Sequence, residues 1–81
     1  MIEDQLRKFI AEQQHWKGPL SELTDDFPLI ESNLVDSLGI FQIVSFVERE
    51  FGVEILDEEL TATNFETIGD ITHLIQGKRV S

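Results

Sequence analysis

Apolar positions recur at helical spacing near both ends of the chain. Ile2, Leu6, Phe9 and Ile10 fall at i, i+4, i+7 and i+8, with Trp16 a turn and a half further on, which describes one apolar helical face. Glu3 and Asp4 occupy the first turn, where acids suit the positive end of the helix dipole. Gly18-Pro19 predicts the end of this helix. Near the other terminus, Ile68, Ile71, Leu74 and Ile75 repeat at the same spacing. They follow Thr67-x-x-Asp70, a variant of the capping box with Asp in the usual Glu position. Phe65 lies just outside that cap, near where a hydrophobic staple sits, and Gly77 predicts the stop.

Between them, "DSLGIFQIVSFVEREFG" is apolar on more than one side: Leu38, Phe41, Ile43, Val44, Phe46, Val47 and Phe51 leave little polar face. A helix of that kind is expected to be the central, most buried one of its fold. Its length and its caps favour helix over strand, since Asp36 is a good N-cap and Gly52 a natural C-terminal stop. From Gly18 to Asp36 the pattern turns irregular. Leu20, Leu23, Phe27, Leu29, Ile30 and Leu34 stand among acids, Ser, Thr and Pro28. A loop this long needs a function or its own packing, so an ordered loop with a helical turn near Ser21 to Leu23 is expected. A second short turn is expected at Asp57 to Leu60, with Val53, Ile55, Leu56 and Leu60 buried. The pattern predicts an all-α fold, a small bundle of three main helices plus one short one, with a long first loop.

Composition bounds the size and the chemistry. Eighty-one residues make one small domain spanning 1–81. The absence of cysteine excludes disulfides, thiolate metal sites and a cysteine nucleophile. Any thiol chemistry therefore has to come from a bound group. No apolar run is long enough to span a membrane, and "MIEDQLRKF" mixes acids with bases and is not a signal peptide. A cytoplasmic protein is the expectation.

Charge adds more. The net charge is −10, from sixteen acids against six bases. Between Gly18 and Gly77 there are thirteen acids and one base, Arg49. Such a surface repels nucleic acid and anionic lipid and steers basic partners toward itself, besides promoting solubility. The run Asp57-Glu58-Glu59 lacks EF-hand spacing, so no specific metal site is expected there, only weak divalent binding. His15 and His73 read as solvated or capping residues, and Trp16 as a cover for one edge of the core.

Asp36-Ser37 at the head of the central helix is the candidate chemistry. A serine hydrolase needs a base within reach and a strained G-x-S-x-G turn, and neither stands near Ser37. A serine modified by another enzyme needs only exposure, a helix N-terminus and an acidic neighbour. Ser37 falls at the first helical position, where unpaired N–H groups and the dipole favour a phosphodiester. Asp36 beside it is placed to hold a Mg²⁺ that bridges to an incoming pyrophosphate donor. As a plain cap, the pair is also unremarkable.

With Asp36-Ser37-Leu38, then "FVEREFGVEI" closing the second helix and "TIGDI" opening the last, the chain resembles the acyl and peptidyl carrier proteins along its whole length. That resemblance implies that Ser37 carries 4′-phosphopantetheine, derived from coenzyme A, and that Asp36 is a Mg²⁺ ligand during the transfer only. It implies a monomeric shuttle and not an enzyme, holding an acyl group as a thioester on the arm. The implied partners are a phosphopantetheinyl transferase, an acyl or aminoacyl loading ligase, and downstream synthase or transferase enzymes. Ser21, Ser32, Ser45 and Ser81 lack the Asp-Ser-Leu setting.

Departures from the family pattern narrow the expected role. Leu34 stands where housekeeping fatty-acid carriers usually have Gly, Gly39 and Gln42 replace common acids, and Arg49 interrupts the last acidic run. "NLVDSLG" is more similar to discrete carriers of specialised pathways, of fatty-acid or polyketide type, with an aminoacyl or peptidyl carrier of a nonribosomal-type pathway as the alternative. A non-covalent acidic helical interaction domain, with Ser37 only a cap, is the rival from another class. Met1 and the lack of a flanking linker favour a free-standing carrier. Partners are expected to read the helix that begins at Ser37. Ile40, Phe41, Val44 and Glu48 share its side by helical spacing. Phe41 is expected to turn inward and Ile40 to face solvent, leaving Ile40, Val44 and Glu48 as contacts. Leu38, Gln42 and Ser45 complete the expected contact set.

Overall fold

The computed structural model describes residues 2–79, so Ser81, one of the serines without the Asp-Ser-Leu setting, lies outside them. Four α-helices run in the order α1 (Ile2–Gln13), α2 (Ser37–Phe51), α3 (Ala62–Phe65) and α4 (Ile68–Arg79). Single 3-10 turns at Leu20–Glu22 and Asp57–Glu59 punctuate the two connections that flank α2. No strand occurs among the described residues, as the apolar spacing predicts. α1 packs on both α2 and α4, and α3 packs on α4.

The core gathers Leu6 and Ile10 of α1, Ile43 and Val47 of α2, Phe65 of α3, and Ile68, Ile71 and Ile75 of α4. Each fully buried side chain of this size contributes about 1.5–3 kcal/mol relative to exposure. The long loop supplies Leu23, Leu29 and Val35, all essentially inaccessible to solvent. That burial accounts for the length of an ordered loop: its own apolar residues complete the bundle. Two backbone bonds fasten it further, from Leu29 N–H to the Glu66 carbonyl (2.8 Å) and from Gly69 N–H to the Asp25 carbonyl (2.9 Å). Arg7 of α1 reaches the same loop, donating through Nε to the Leu23 carbonyl at 2.7 Å and pairing with Asp25 and Asp4.

Several expectations are corrected. α1 ends at Gln13, short of Gly18-Pro19. His15 adopts a left-handed backbone (φ 56°), and Trp16 N–H bonds back to the Ala11 carbonyl at 2.9 Å. These are features of a Schellman-type stop, with histidine in the place usually taken by glycine. Trp16 itself leaves the helix, donates Nε1–H to the Pro19 carbonyl and stacks edge-on against Phe27. At the other end α4 continues through Gly77 to Arg79. The short helix is α3, capped by Thr61, while Asp57–Glu59 makes only a 3-10 turn. Phe65, expected as a staple beside the last helix, is a full core residue at 1 % exposure, and Leu56, expected to be buried, is exposed. The Thr67 cap holds, its Oγ1 accepting Asp70 N–H at 3.0 Å.

Candidate functional site

The approach to α2 is fixed from both sides. Asn33 takes a left-handed conformation (φ 66°), which Asn tolerates better than most side chains. Val35 is then buried, and its N–H bonds to the Leu29 carbonyl at 3.0 Å. Asp36 follows as the N-cap: its backbone is extended, and its Oδ1 accepts Gly39 N–H at 2.9 Å. The next carbonyl-to-amide bond, from Ile40 N–H to Asp36 O (2.9 Å), starts the helical ladder. Gly52, left-handed at φ 66°, ends it.

Gly39 is buried in the first turn, and a Cβ there would lie 3.1 Å from both Gln14 Nε2 and Val35 Cγ1. The missing side chain is what lets the end of α1 approach α2. Gln14 then donates to Gln42 Oε1 at 3.2 Å, joining the two helices one turn below Ser37.

Ser37 sits at the first helical position and is exposed. Among the described residues its hydroxyl has no hydrogen-bond partner, and the Asp36 carboxylate is engaged only through Oδ1. Nothing on this chain is therefore arranged to take the Ser37 proton. The site can receive a substituent, and the unpaired N–H groups of the first turn provide a favourable setting for a phosphodiester. Among the described residues no group of three or more potential metal ligands exists.

The rest of the expected surface is rearranged. Phe41, expected to turn inward, is 59 % exposed, and Leu38 is 66 % exposed. Ile40, expected to face solvent, is partly buried and packs against the core, as does Val44. Gln42 is half-buried and spends its amide oxygen on Gln14. Glu48, expected as an exposed charge, is half-buried, its Oε2 accepting Ile55 N–H at 2.9 Å. Ser45 is exposed. The rotation has a simple cause: Gly39, Ile43 and Val47 form the buried line of α2, which turns Leu38 and Phe41 to the opposite side.

A small four-helix bundle that fixes an unpartnered serine at the head of its second helix is the architecture of a carrier. No protein-family model matches the chain. It is 37 % identical over 76 residues to the probable acyl carrier protein PigG of a Serratia species, covering 94 % of this chain and 86 % of that protein. The acyl carrier protein of Rickettsia bellii is 36 % identical over 75 residues, covering 93 % of this chain and 88 % of the relative. That of Borreliella burgdorferi is 32 % identical over 78 residues, covering 96 % and 92 %. A chain in the "Crystal structure of FAD-dependent dehydrogenase" superposes with TM-score 0.75 at 26 % identity, over 86 % of this chain and 97 % of that one. The chain belongs to the acyl carrier protein family.

Proposed function

We propose that Ser37 is the sole attachment point for 4′-phosphopantetheine and that the chain carries an acyl intermediate between the enzymes of a specialised pathway. The observation that carries this reading is the exposed, unpartnered Ser37 hydroxyl at the first position of α2. The residues fit the group: a phosphodiester on Ser37 Oγ faces the open N–H groups of the first turn. The group supplies the thiol that a chain without cysteine lacks. Asp36 has one oxygen committed to the cap and the other without a protein partner, which suits a Mg²⁺ held only while the transferase works. The loop bonds around Val35 and Asn33 keep Ser37 in one place, so the mobile element is the arm and not its anchor.

The likeness to a PigG carrier, together with Leu34, Gly39 and Gln42 at departures from the housekeeping pattern, supports the specialised role over the housekeeping one. The chain matched in the dehydrogenase crystal is shorter than this one, since 86 % of this chain accounts for 97 % of it. A carrier-sized chain in that setting supports a flavin-dependent dehydrogenase among the enzymes that process the cargo. A transferase, a loading ligase and a downstream synthase complete the partner set.

The test is an intact mass of the purified protein after incubation with coenzyme A, Mg²⁺ and a broad-specificity phosphopantetheinyl transferase. A gain of one phosphopantetheine is expected, absent in Ser37→Ala. An adduct that persists in Ser37→Ala, or none in the parent protein, would reject the assignment.

A further inference from the structure

The exposed side of α2 contradicts the charge of the rest of the protein. Leu38, Phe41, Ser45 and Arg49 are all exposed and follow one another at three- and four-residue spacing, forming one stripe. It spans about three turns, or about 16 Å along the axis. In a chain of net charge −10 this stripe carries no acid, and its one charge is basic. The two acids of α2 are turned elsewhere. Glu48 is bonded to Ile55 N–H, and Glu50 lies in the groove toward α1 beside Lys8, Phe9 and Glu12. Arg49 has no ion-pair partner among the described residues. Leu38 and Phe41 flank Ser37, so any enzyme acting there must cover them.

We propose that enzymes acting at Ser37 grip this chain with an apolar cleft. The cleft takes Phe41 and Leu38, and an acidic group at its far end meets Arg49. A basic patch, the complement expected from net charge, has no acidic counterpart along this stripe. The proposal rests on Ser37 being the attachment point, and it names Phe41 as the residue that sets partner choice. Aromatic side chains seated in a dry pocket dominate interface energetics, whereas rim charges act mainly on encounter rate.

The experiment measures kcat/KM for phosphopantetheine transfer to Ser37 by a broad-specificity transferase, with coenzyme A saturating. Sodium chloride is varied between about 0.05 and 0.5 M, across which the screening length falls from above about 10 Å to below about 8 Å. For the parent protein, a change smaller than about threefold is expected, because apolar contact is not screened. Phe41→Ala should lower kcat/KM about tenfold or more at every salt concentration, and Leu38→Ala somewhat less. Arg49→Glu should lower it about threefold at low salt, fading as salt rises. Thermal melting of Phe41→Ala should match the parent, since the ring is exposed. A steep fall with salt alongside an unaffected Phe41→Ala would overturn the apolar grip while leaving Ser37 as the carrier site. No mass gain on the parent protein would instead reject the carrier reading itself. Sedimentation showing a dimer that Phe41→Ala dissolves would assign the stripe to a second copy of this chain and also overturn the proposal.

Discussion

α2 and α4 are built from similar material and used differently. α4 is the shorter helix, yet it buries Ile68, Ile71, Thr72 and Ile75 and keeps its charges outside. α2 is longer and richer in large apolar residues, yet its buried line is only Gly39, Ile43 and Val47. The surplus on α2, Leu38 and Phe41, is solvent-facing beside Ser37. In α4 nearly all the apolar character is explained by the core. In α2 part of it is not, and unexplained apolar surface on a small acidic protein marks where something docks.

The largest expected effect separates these two uses. Ile71→Ala removes a fully buried side chain of α4 and should cost about 2–5 kcal/mol in urea denaturation, as core truncations do. Leu38→Ala deletes nearly as much apolar volume from α2 and should change stability by less than about 0.5 kcal/mol. Equal losses at the two sites would mean that Leu38 is core, and the contrast between the helices would collapse.

How much of this is legible in the sequence depends on whether a pattern has a preferred side. α4 has one, and the residues at its helical spacing do become core, with Thr67 capping as its hydroxyl suggests. Asp36 and Gly52 likewise cap α2 where short-range chemistry places them. The rotation of α2 is not legible. Apolar residues all round give no preferred face, and the deciding contact is Gly39 against Gln14 and Val35, two partners from other elements. α3 escapes the pattern because a four-residue helix with Phe65 as its only large apolar residue has no period to read. The stop of α1 at His15 escapes it because histidine carries a weaker left-handed signal than the nearby Gly18-Pro19. At the site, Ser37 and its cap are readable because capping is local, whereas the docking side depends on tertiary packing.

A glycine in each helix sharpens the comparison at smaller magnitude. Gly77 lies inside α4, its φ is ordinary, and an alanine Cβ there would meet nothing within 4 Å. Gly77→Ala should therefore stabilise by about 0.5–1 kcal/mol through helix propensity alone. Gly39→Ala offers the same propensity gain, but its Cβ would press on Gln14 and Val35 at 3.1 Å. Crowding in a packed interface opposes the gain, so Gly39→Ala should be no more stable than the parent. Chemical denaturation of the two variants side by side decides it. A Gly39→Ala protein stabilised as much as Gly77→Ala would show that the α1–α2 contact yields freely.

The smallest effect concerns how each helix is tied to the 3-10 turn region by a carboxylate. α2 uses Glu48 on Ile55 N–H, and α4 uses Lys78, whose Nζ lies 2.6 Å from Glu59 Oε1. The same Glu59 oxygen accepts Leu56 N–H at 2.9 Å. Lys78, then the Leu56 amide, hold the Glu59 carboxyl below its ordinary value of 4.5 despite some opposing desolvation. A carboxyl with a depressed folded pKa stabilises the fold fully above its unfolded value, and the contribution is lost as pH falls through the folded one. Glu59→Gln keeps an oxygen for Leu56 but removes the charge that Lys78 meets. Its melting temperature should thus lie slightly below the parent's at neutral pH, by no more than exposed ion pairs generally contribute. The gap should close as pH is lowered through the depressed value, and salt at neutral pH should narrow it by screening. A gap that stays constant from neutral to acid pH would show that the Glu59→Gln change perturbs packing, and that charge does not fasten α4 to the turn.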